Sequence, residues 1–146
     1  MSITELAPAK LNLTLDVGAR RPDGYHEITS VMQSAALYDV VTLETVETDD
    51  IVLECPGTDL PTGPDNLAWK AADVFFRETN IPRTGIIIRL EKKIPSQAGL
   101  GGGSSDAAAV LRGMRRLFGA NLSDEALETM AARVGSDVPY CVRGGT

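Results

Sequence analysis

The stretch Ile94-Pro95-Ser96-Gln97-Ala98-Gly99-Leu100-Gly101-Gly102-Gly103-Ser104-Ser105-Asp106 decides how this chain is read. An apolar run, Ile86 to Leu90, feeds it as a strand, and an amphipathic helix leaves it. Gly99, Gly101, Gly102 and Gly103 strip side chains from the backbone, so peptide N–H groups can turn toward one anion. The start of the next helix adds unpaired N–H groups and the positive end of its dipole. Ser104 and Ser105 add hydroxyls. The segment therefore reads as a phosphate cradle made largely of main chain, against the plainer reading of a glycine loop with a serine cap. It is not a Walker A loop, because no Gly-Lys-Ser/Thr closes it. Its glycine spacing also fails the G-x-G-x-x-G dinucleotide pattern.

Outward from the loop, the hydrophobic periods give the fold class. Past it, Ala107, Val110, Leu111, Met114 and Phe118 share one helical face that ends at Gly119. A further helix is expected from the cap Ser123, with Asp124 and Glu125 in its positive first turn. Its apolar face is Leu127, Met130, Ala131 and Val134, and Gly135 ends it. Upstream, Leu67, Ala71, Val74 and Phe75 recur at helical spacing after Pro64-Asp65-Asn66, and Trp69 reads as packing. Leu11, Leu13, Leu15 and Val17 alternate with Asn12, Thr14 and Asp16, as in a half-buried strand, with Ile3 to Ala7 as a short partner. Val40 to Val46 and Ile51 to Cys55 are β-rich runs split by Thr48-Asp49-Asp50, and a hairpin is expected there. Strands come first and helices later, which predicts an α+β layer.

Composition bounds the function. The chain has 146 residues, 43% hydrophobic and 23% charged, enough for one domain with a core and typical of a soluble globular protein. No apolar run is long enough to span a bilayer, no signal peptide is read at the amino end, and the expected location is cytoplasmic. The net charge of −6 argues against wholesale nucleic-acid binding while leaving room for a small anionic ligand held by local donors. Cys55 and Cys141 are expected as buried free thiols.

Three further segments carry chemistry-bearing residues. Lys10 lies in Pro8-Ala9-Lys10-Leu11-Asn12-Leu13, sharing a strand face with Asn12 and Thr14; alone its plain reading is a solvated edge-strand charge. Asp137 lies in Gly135-Ser136-Asp137-Val138-Pro139-Tyr140, where the plain reading is a helix N-cap. Arg20-Arg21-Pro22-Asp23-Gly24-Tyr25-His26-Glu27 joins a tight turn to the chain's one histidine, whose plain reading is a hydrogen-bonded core histidine. An aromatic face offers stacking, and an imidazole offers both a donor and an acceptor. Asn66 reads as a helix-start residue or an amide offered to a base.

Taken together, these segments resemble the signatures of the GHMP small-molecule kinases. The Pro95-x-x-x-Gly99-Leu100-Gly101-Gly102-Gly103-Ser104-Ser105 run is similar to that family's ATP-phosphate loop. The resemblance implies ATP contacts from Pro95, Ser96, Gln97, Ala98, Gly99, Leu100, Gly101, Gly102, Gly103, Ser104 and Ser105, with Asn66 on the adenine side. Pro-Ala-Lys-Leu-Asn and Gly-Ser-Asp-Val-Pro resemble the segments whose lysine and aspartate act as a catalytic pair, here Lys10 and Asp137. The Asp23-Gly24-Tyr25-His26-Glu27 run is similar to that of members whose acceptor carries a cytidyl group. It implies Tyr25 against the cytidine and His26 hydrogen-bonded to the cytosine, with Asn12 also on the substrate side. The implied reaction moves the ATP γ-phosphate to the 2-hydroxyl of 4-diphosphocytidyl-2-C-methyl-D-erythritol, in non-mevalonate isoprenoid synthesis. Mg²⁺ is expected with the ATP, its ligands unassigned.

The implied fold is of the ribosomal S5 domain 2-like type, with residues 1–146 as the ATP- and substrate-binding amino-terminal domain. Such kinases are about twice as long, so a carboxy-terminal domain is expected to be missing and the chain alone is expected to be inactive. The competing expectations are a GHMP kinase for homoserine, mevalonate or a sugar, a nucleotide- or RNA-binding module of the same fold type, and an inactive fragment.

Overall fold

The computed structural model describes residues 1–9, 37–94 and 102–143. Four strands, β1 (Ser2–Pro8), β2 (Tyr38–Val46), β3 (Ile51–Glu54) and β4 (Gly85–Glu91), form one sheet in the order β1-β2-β4-β3. Four helices follow or interrupt them: α1 (Leu67–Glu78), α2 (Gly102–Leu117), α3 (Asp124–Val134) and α4 (Val138–Val142). The expected α+β class holds, with one parallel β3-α1-β4 unit set inside it. Among these residues no helix is long and apolar enough to cross a membrane.

The period-two pattern of the strands sets the layers. Ala7 of β1, Val41 and Leu43 of β2, Leu53 of β3, and Ile86, Ile88 and Leu90 of β4 turn to the helices and are buried. Helix α2 lies across them with Val110, Leu111 and Met114 fully buried. Each such side chain contributes roughly 1.5–3 kcal/mol by leaving water, so truncating Leu111 to Ala would cost about 2–5 kcal/mol. Phe75 and Phe76 of α1 close on Phe118, with ring centroids 6.2 and 5.7 Å from it.

The caps fall where the sequence places them. The Asn66 side chain accepts from the Ala68 amide and Ser123 accepts from the Ala126 amide. Gly119, at φ +58°, turns the chain beyond α2 in a conformation that favours glycine. Helix α2 is described from Gly102, so the last two loop glycines, Gly102 and Gly103, already lie in the helix. Cys55 and Cys141 are free and buried, as expected.

Two strand expectations fare differently. Ile3 to Ala7 lies within β1, which pairs antiparallel with β2; the expected strand Leu11 to Val17 lies outside the described residues. The expected hairpin does not form. β4 lies between β2 and β3, antiparallel to the first and parallel to the second. The connection between β2 and β3 instead crosses the start of β4, which Gly85 permits. A Cβ on Gly85 would stand 2.3 Å from Thr48 Oγ1 and 2.8 Å from the Thr48 carbonyl oxygen. Alternation alone marked two strands but could not show that a third, 30 residues on, would part them.

Candidate functional site

Helix α2 begins where four separate segments meet. Its first-turn amides, on Gly102, Gly103 and Ser104, have no intrahelical acceptor by helix geometry. From β1, the Pro8 carbonyl accepts the hydroxyl of Ser105, which is buried. That bond ties the helix to the strand two residues before Lys10. From α1, Leu67 Cδ1 would be 3.9 Å from a Cβ on Gly103 and 3.8 Å from one on Gly135. The Asn66-Leu67 segment, the glycine segment and the Gly135-Ser136-Asp137 segment are thereby brought together. From the segment past β4, Ile94 Cγ2 would lie 3.1 Å from a Cβ on Gly102.

The structure also brings in residues that the sequence reading passed over. Lys92, just past β4, extends its ammonium 2.7 Å from Asp39 Oδ2 on β2 and 2.7 Å from Asp106 Oδ2 on α2. Asp39 Oδ1 accepts from the amides of Lys93 at 2.6 Å and Ile94 at 2.8 Å. All three side chains are buried. Among the described residues, Asp106 Oδ1 is buried with no hydrogen-bond partner. Burial foremost, and then the neighbouring Asp39 carboxylate, push the Asp106 carboxyl up to about 8 against the pull of Lys92. Burial would raise Asp39 as well, but the neighbouring Asp106 side chain, the Lys92 ammonium and the two amides hold it below the usual carboxylate value. Burial would lower Lys92, yet the charge of Asp106 and its bonds to both carboxyls raise it.

A sequence signal for this cluster existed. Asp39 alternates in phase with Val41 and Leu43, and Asp106 stands one turn before Val110 on the apolar stripe of α2. A carboxylate at a buried phase calls for a partner.

The residues expected at the site divide into two groups. Lys10, Asn12, Tyr25, His26, Pro95, Ser96, Gln97, Ala98, Gly99, Leu100 and Gly101 lie outside the described residues. Gly102, Gly103, Ser104 and Ser105 form the first turn of α2, where an anion-binding reading requires them. Asn66 has both ends of its amide engaged in the α1 cap, Nδ2 donating to the Pro61 carbonyl at 2.9 Å and Oδ1 accepting from Ala68 at 2.9 Å. Asp137 is the exposed N-cap residue of α4 and makes no side-chain capping bond to it.

A separate cleft of about 650 Å³ runs along β1, lined by Glu5, Tyr38, Arg112, Arg116 and Arg143 among others. Its arginines are already paired. Arg112 and Arg116 bind Glu5, Arg112 also caps the carbonyls of Cys141 and Val142, and Arg143 binds Glu125 and Glu128. The cleft gathers none of the expected motif segments except Pro8, and it reads as a stitched seam between β1, α2 and α4.

Comparison with known proteins gives one consistent result. Residues 66–145 match the GHMP kinases N terminal domain. The chain is 46% identical over 140 residues to the 4-diphosphocytidyl-2-C-methyl-D-erythritol kinase of Caldicellulosiruptor saccharolyticus, covering 96% of this chain and 48% of that one. It is 51% identical over 142 residues to the protein of the same name from Heliobacterium modesticaldum, covering 97% and 45%. A solved 4-(cytidine 5'-diphospho)-2C-methyl-D-erythritol kinase superposes with a TM-score of 0.62 at 33% identity, over 97% of this chain and 49% of that one. The chain thus spans about half the length of the curated relatives it matches.

Proposed function

The chain belongs to the GHMP kinase family, and on that premise we propose that it forms the nucleotide- and acceptor-binding part of a kinase that phosphorylates the 2-hydroxyl of 4-diphosphocytidyl-2-C-methyl-D-erythritol. The observation that carries this reading is the meeting of the motif segments at the start of α2. Ser105 reaches the Pro8 end of β1, and Leu67 lies against both Gly103 and Gly135. A phosphoryl-transfer site needs this grouping, because catalysis there consists mostly of positioning and of stabilising charge.

In this reading the amides of Gly102, Gly103 and Ser104, with residues 95–101, hold the ATP phosphates at the positive end of α2. Lys10 and Asp137 act on the acceptor. The carboxylate takes the proton of the attacking hydroxyl, while the ammonium keeps that carboxylate ionised and steadies the developing negative charge. Tyr25, His26 and Asn12 select the cytidyl acceptor. Mg²⁺ enters with the ATP, since this ion commonly sits on substrate phosphates and waters with one or two carboxylates. The described residues bring together no group of three metal-ligating side chains, so no protein ligand is assigned to it.

The names of the relatives support the choice of acceptor, and the Asp23-Gly24-Tyr25-His26-Glu27 segment favours it over homoserine, mevalonate or a sugar. The test is ADP release by the purified protein, in the full length its gene encodes, with each acceptor in turn. Turnover with the cytidyl acceptor is expected. Preference for homoserine or mevalonate would overturn the assignment.

A further inference from the structure

Residues 92–94 lead into the glycine loop, and Asp106 stands on the helix that leaves it. These two sides of the loop are joined by one buried ammonium. Lys92 Nζ lies 2.7 Å from Asp106 Oδ2 and 2.7 Å from Asp39 Oδ2, and would be 3.3 Å from a Cβ on Gly102. Asp39 holds the same approach from beneath through the Lys93 and Ile94 amides. We infer that Asp39, Lys92 and Asp106 are positioning residues for the nucleotide phosphates: they fix the separation between Ile94 and Gly102, and the net charge they carry tunes anion affinity at the start of α2. This rests on reading that helix start as a phosphate site.

A purely structural ion pair would need only one carboxylate. Here two carboxyls share one ammonium, and a second oxygen of Asp106 stays buried without a partner among the described residues. Such an arrangement is costly unless one carboxyl carries a proton. With Asp106 protonated the trio is neutral. With Asp106 ionised it carries one negative charge. Asp106 is four residues beyond Gly102, a rise of about 6 Å, inside the roughly 8 Å over which charge acts at physiological salt.

Asp137, exposed at the start of α4, is the other described carboxylate brought to this helix start. The charges acting on Asp106 are those of Lys92 and Asp39. On its own helix, Arg112 pairs with Glu5 of β1. On α1, Asp73 pairs with Arg77 and Arg83. Beyond α4, Arg143 pairs with Glu125 and Glu128 of α3. The sign follows from repulsion: ionising Asp106 weakens phosphate binding, and bound phosphate holds the proton on Asp106.

The experiment is calorimetric titration of the purified protein, in the full length its gene encodes, with MgATP, and separately with adenosine, from about pH 7 to about pH 9.5. For ATP, affinity is expected to fall several-fold across that range, or about tenfold if the phosphates shift the carboxyl by one pH unit. Adenosine affinity should stay flat. Asp106→Asn should remove the pH dependence while keeping a cooperative thermal melt. Carbon-13 NMR of labelled aspartate carboxyls on the unsubstituted chain gives a second reading that needs no variant. One carboxyl should titrate in the alkaline range, and saturating ATP should move it higher. ATP affinity independent of pH, a pH dependence that survives Asp106→Asn, or a carboxyl titration unmoved by ATP would each overturn the inference while leaving the phosphate site standing. ATP binding no tighter than adenosine at every pH would overturn the phosphate site, and this inference with it.

Discussion

Ser105 donates its hydroxyl to the carbonyl of Pro8, so the first turn of α2 is fastened to the end of β1. The bond spans 97 positions in sequence and joins the segment leading to Lys10 with the helix that leaves the glycine loop. Ser105→Ala leaves a carbonyl without its donor in a region where Ser105 is almost fully buried. The expected loss is about 1–2 kcal/mol of unfolding free energy, measured by urea denaturation with an unchanged slope. If Lys10 works on the acceptor, turnover should fall more than ATP affinity in the full-length enzyme. A variant as stable and as active as the parent would show that this tie is incidental.

Gly102 is the tightest point of the cradle that the structure describes. An added Cβ would stand 3.1 Å from Ile94 Cγ2 and 3.3 Å from Lys92 Nζ. Ile94 is buried and the Lys92 ammonium is held by two carboxyls, so neither yields readily. Gly102→Val should therefore abolish ATP binding by calorimetry, because the side chain displaces the ends of the loop and covers first-turn amides. The far-UV circular dichroism should keep its helical shape, since β-branched residues cost α2 only a few tenths of a kcal/mol more than alanine. Undiminished ATP affinity in the folded variant would count against the cradle.

The Asp106 carboxyl also makes stability depend on pH. Its folded-state value is raised from 3.8 to about 8, so between those limits the folded chain binds more protons than the unfolded chain. Unfolding free energy from this group therefore falls as pH rises through that window. Asp39 works the other way, being held low, but its contribution is lost only at pH below the ordinary aspartate range. From about pH 5 to about pH 8 this group should cost the chain roughly 2–4 kcal/mol, and Asp106→Asn should flatten that slope. Denaturant midpoints that rise with pH over this window, or the same slope in the variant, would contradict the assignment.

His26 lies outside the described residues, so its part in acceptor choice rests on the sequence alone. In the full-length enzyme, His26→Ala should raise the KM for the cytidyl acceptor by tenfold or more, a cost of about 1.4 kcal/mol or above, with little effect on the KM for ATP. Equal KM values before and after the change would favour a different acceptor.

What was legible in the sequence was local. Asn66 and Ser123 announced their helices by capping chemistry, and the glycine loop announced a helix start, because each signal acts within a few residues. The buried trio of Asp39, Lys92 and Asp106 was harder to see. Its members come from a strand, a connection and a helix, and only their phase within apolar patterns sets them apart. The meeting of Leu67, Gly103 and Gly135 has no local signature. It depends on how α1, α2 and the end of α3 pack, and apolar contact leaves no mark on which leucine meets which glycine.

The order of the sheet was illegible for a related reason, and it yields the last prediction. β2 and β3 are consecutive, and a short polar link between β-rich runs ordinarily means a hairpin. Here β4 takes the place between them, and the link passes over the first residue of β4. The room for that passage is one missing side chain. A Cβ on Gly85 would meet Thr48 Oγ1 at 2.3 Å, the Thr48 carbonyl oxygen at 2.8 Å and Val46 Cγ2 at 2.8 Å. A hydroxyl can rotate away, but a carbonyl belongs to the backbone and carries the crossing with it. Gly85→Ala gains a few tenths of a kcal/mol or more through the unfolded chain, since alanine has less freedom to lose. Overpacking against backbone costs about 1–3 kcal/mol and should win. The expected result is a thermal midpoint lowered by several degrees, as a change of 1 kcal/mol shifts a domain of this size by about 2–8 °C. Thr48→Gly in the same chain should not restore it, because the carbonyl clash remains. A Gly85→Ala chain at least as stable as the parent would show that the link between β2 and β3 does not cross β4 so closely.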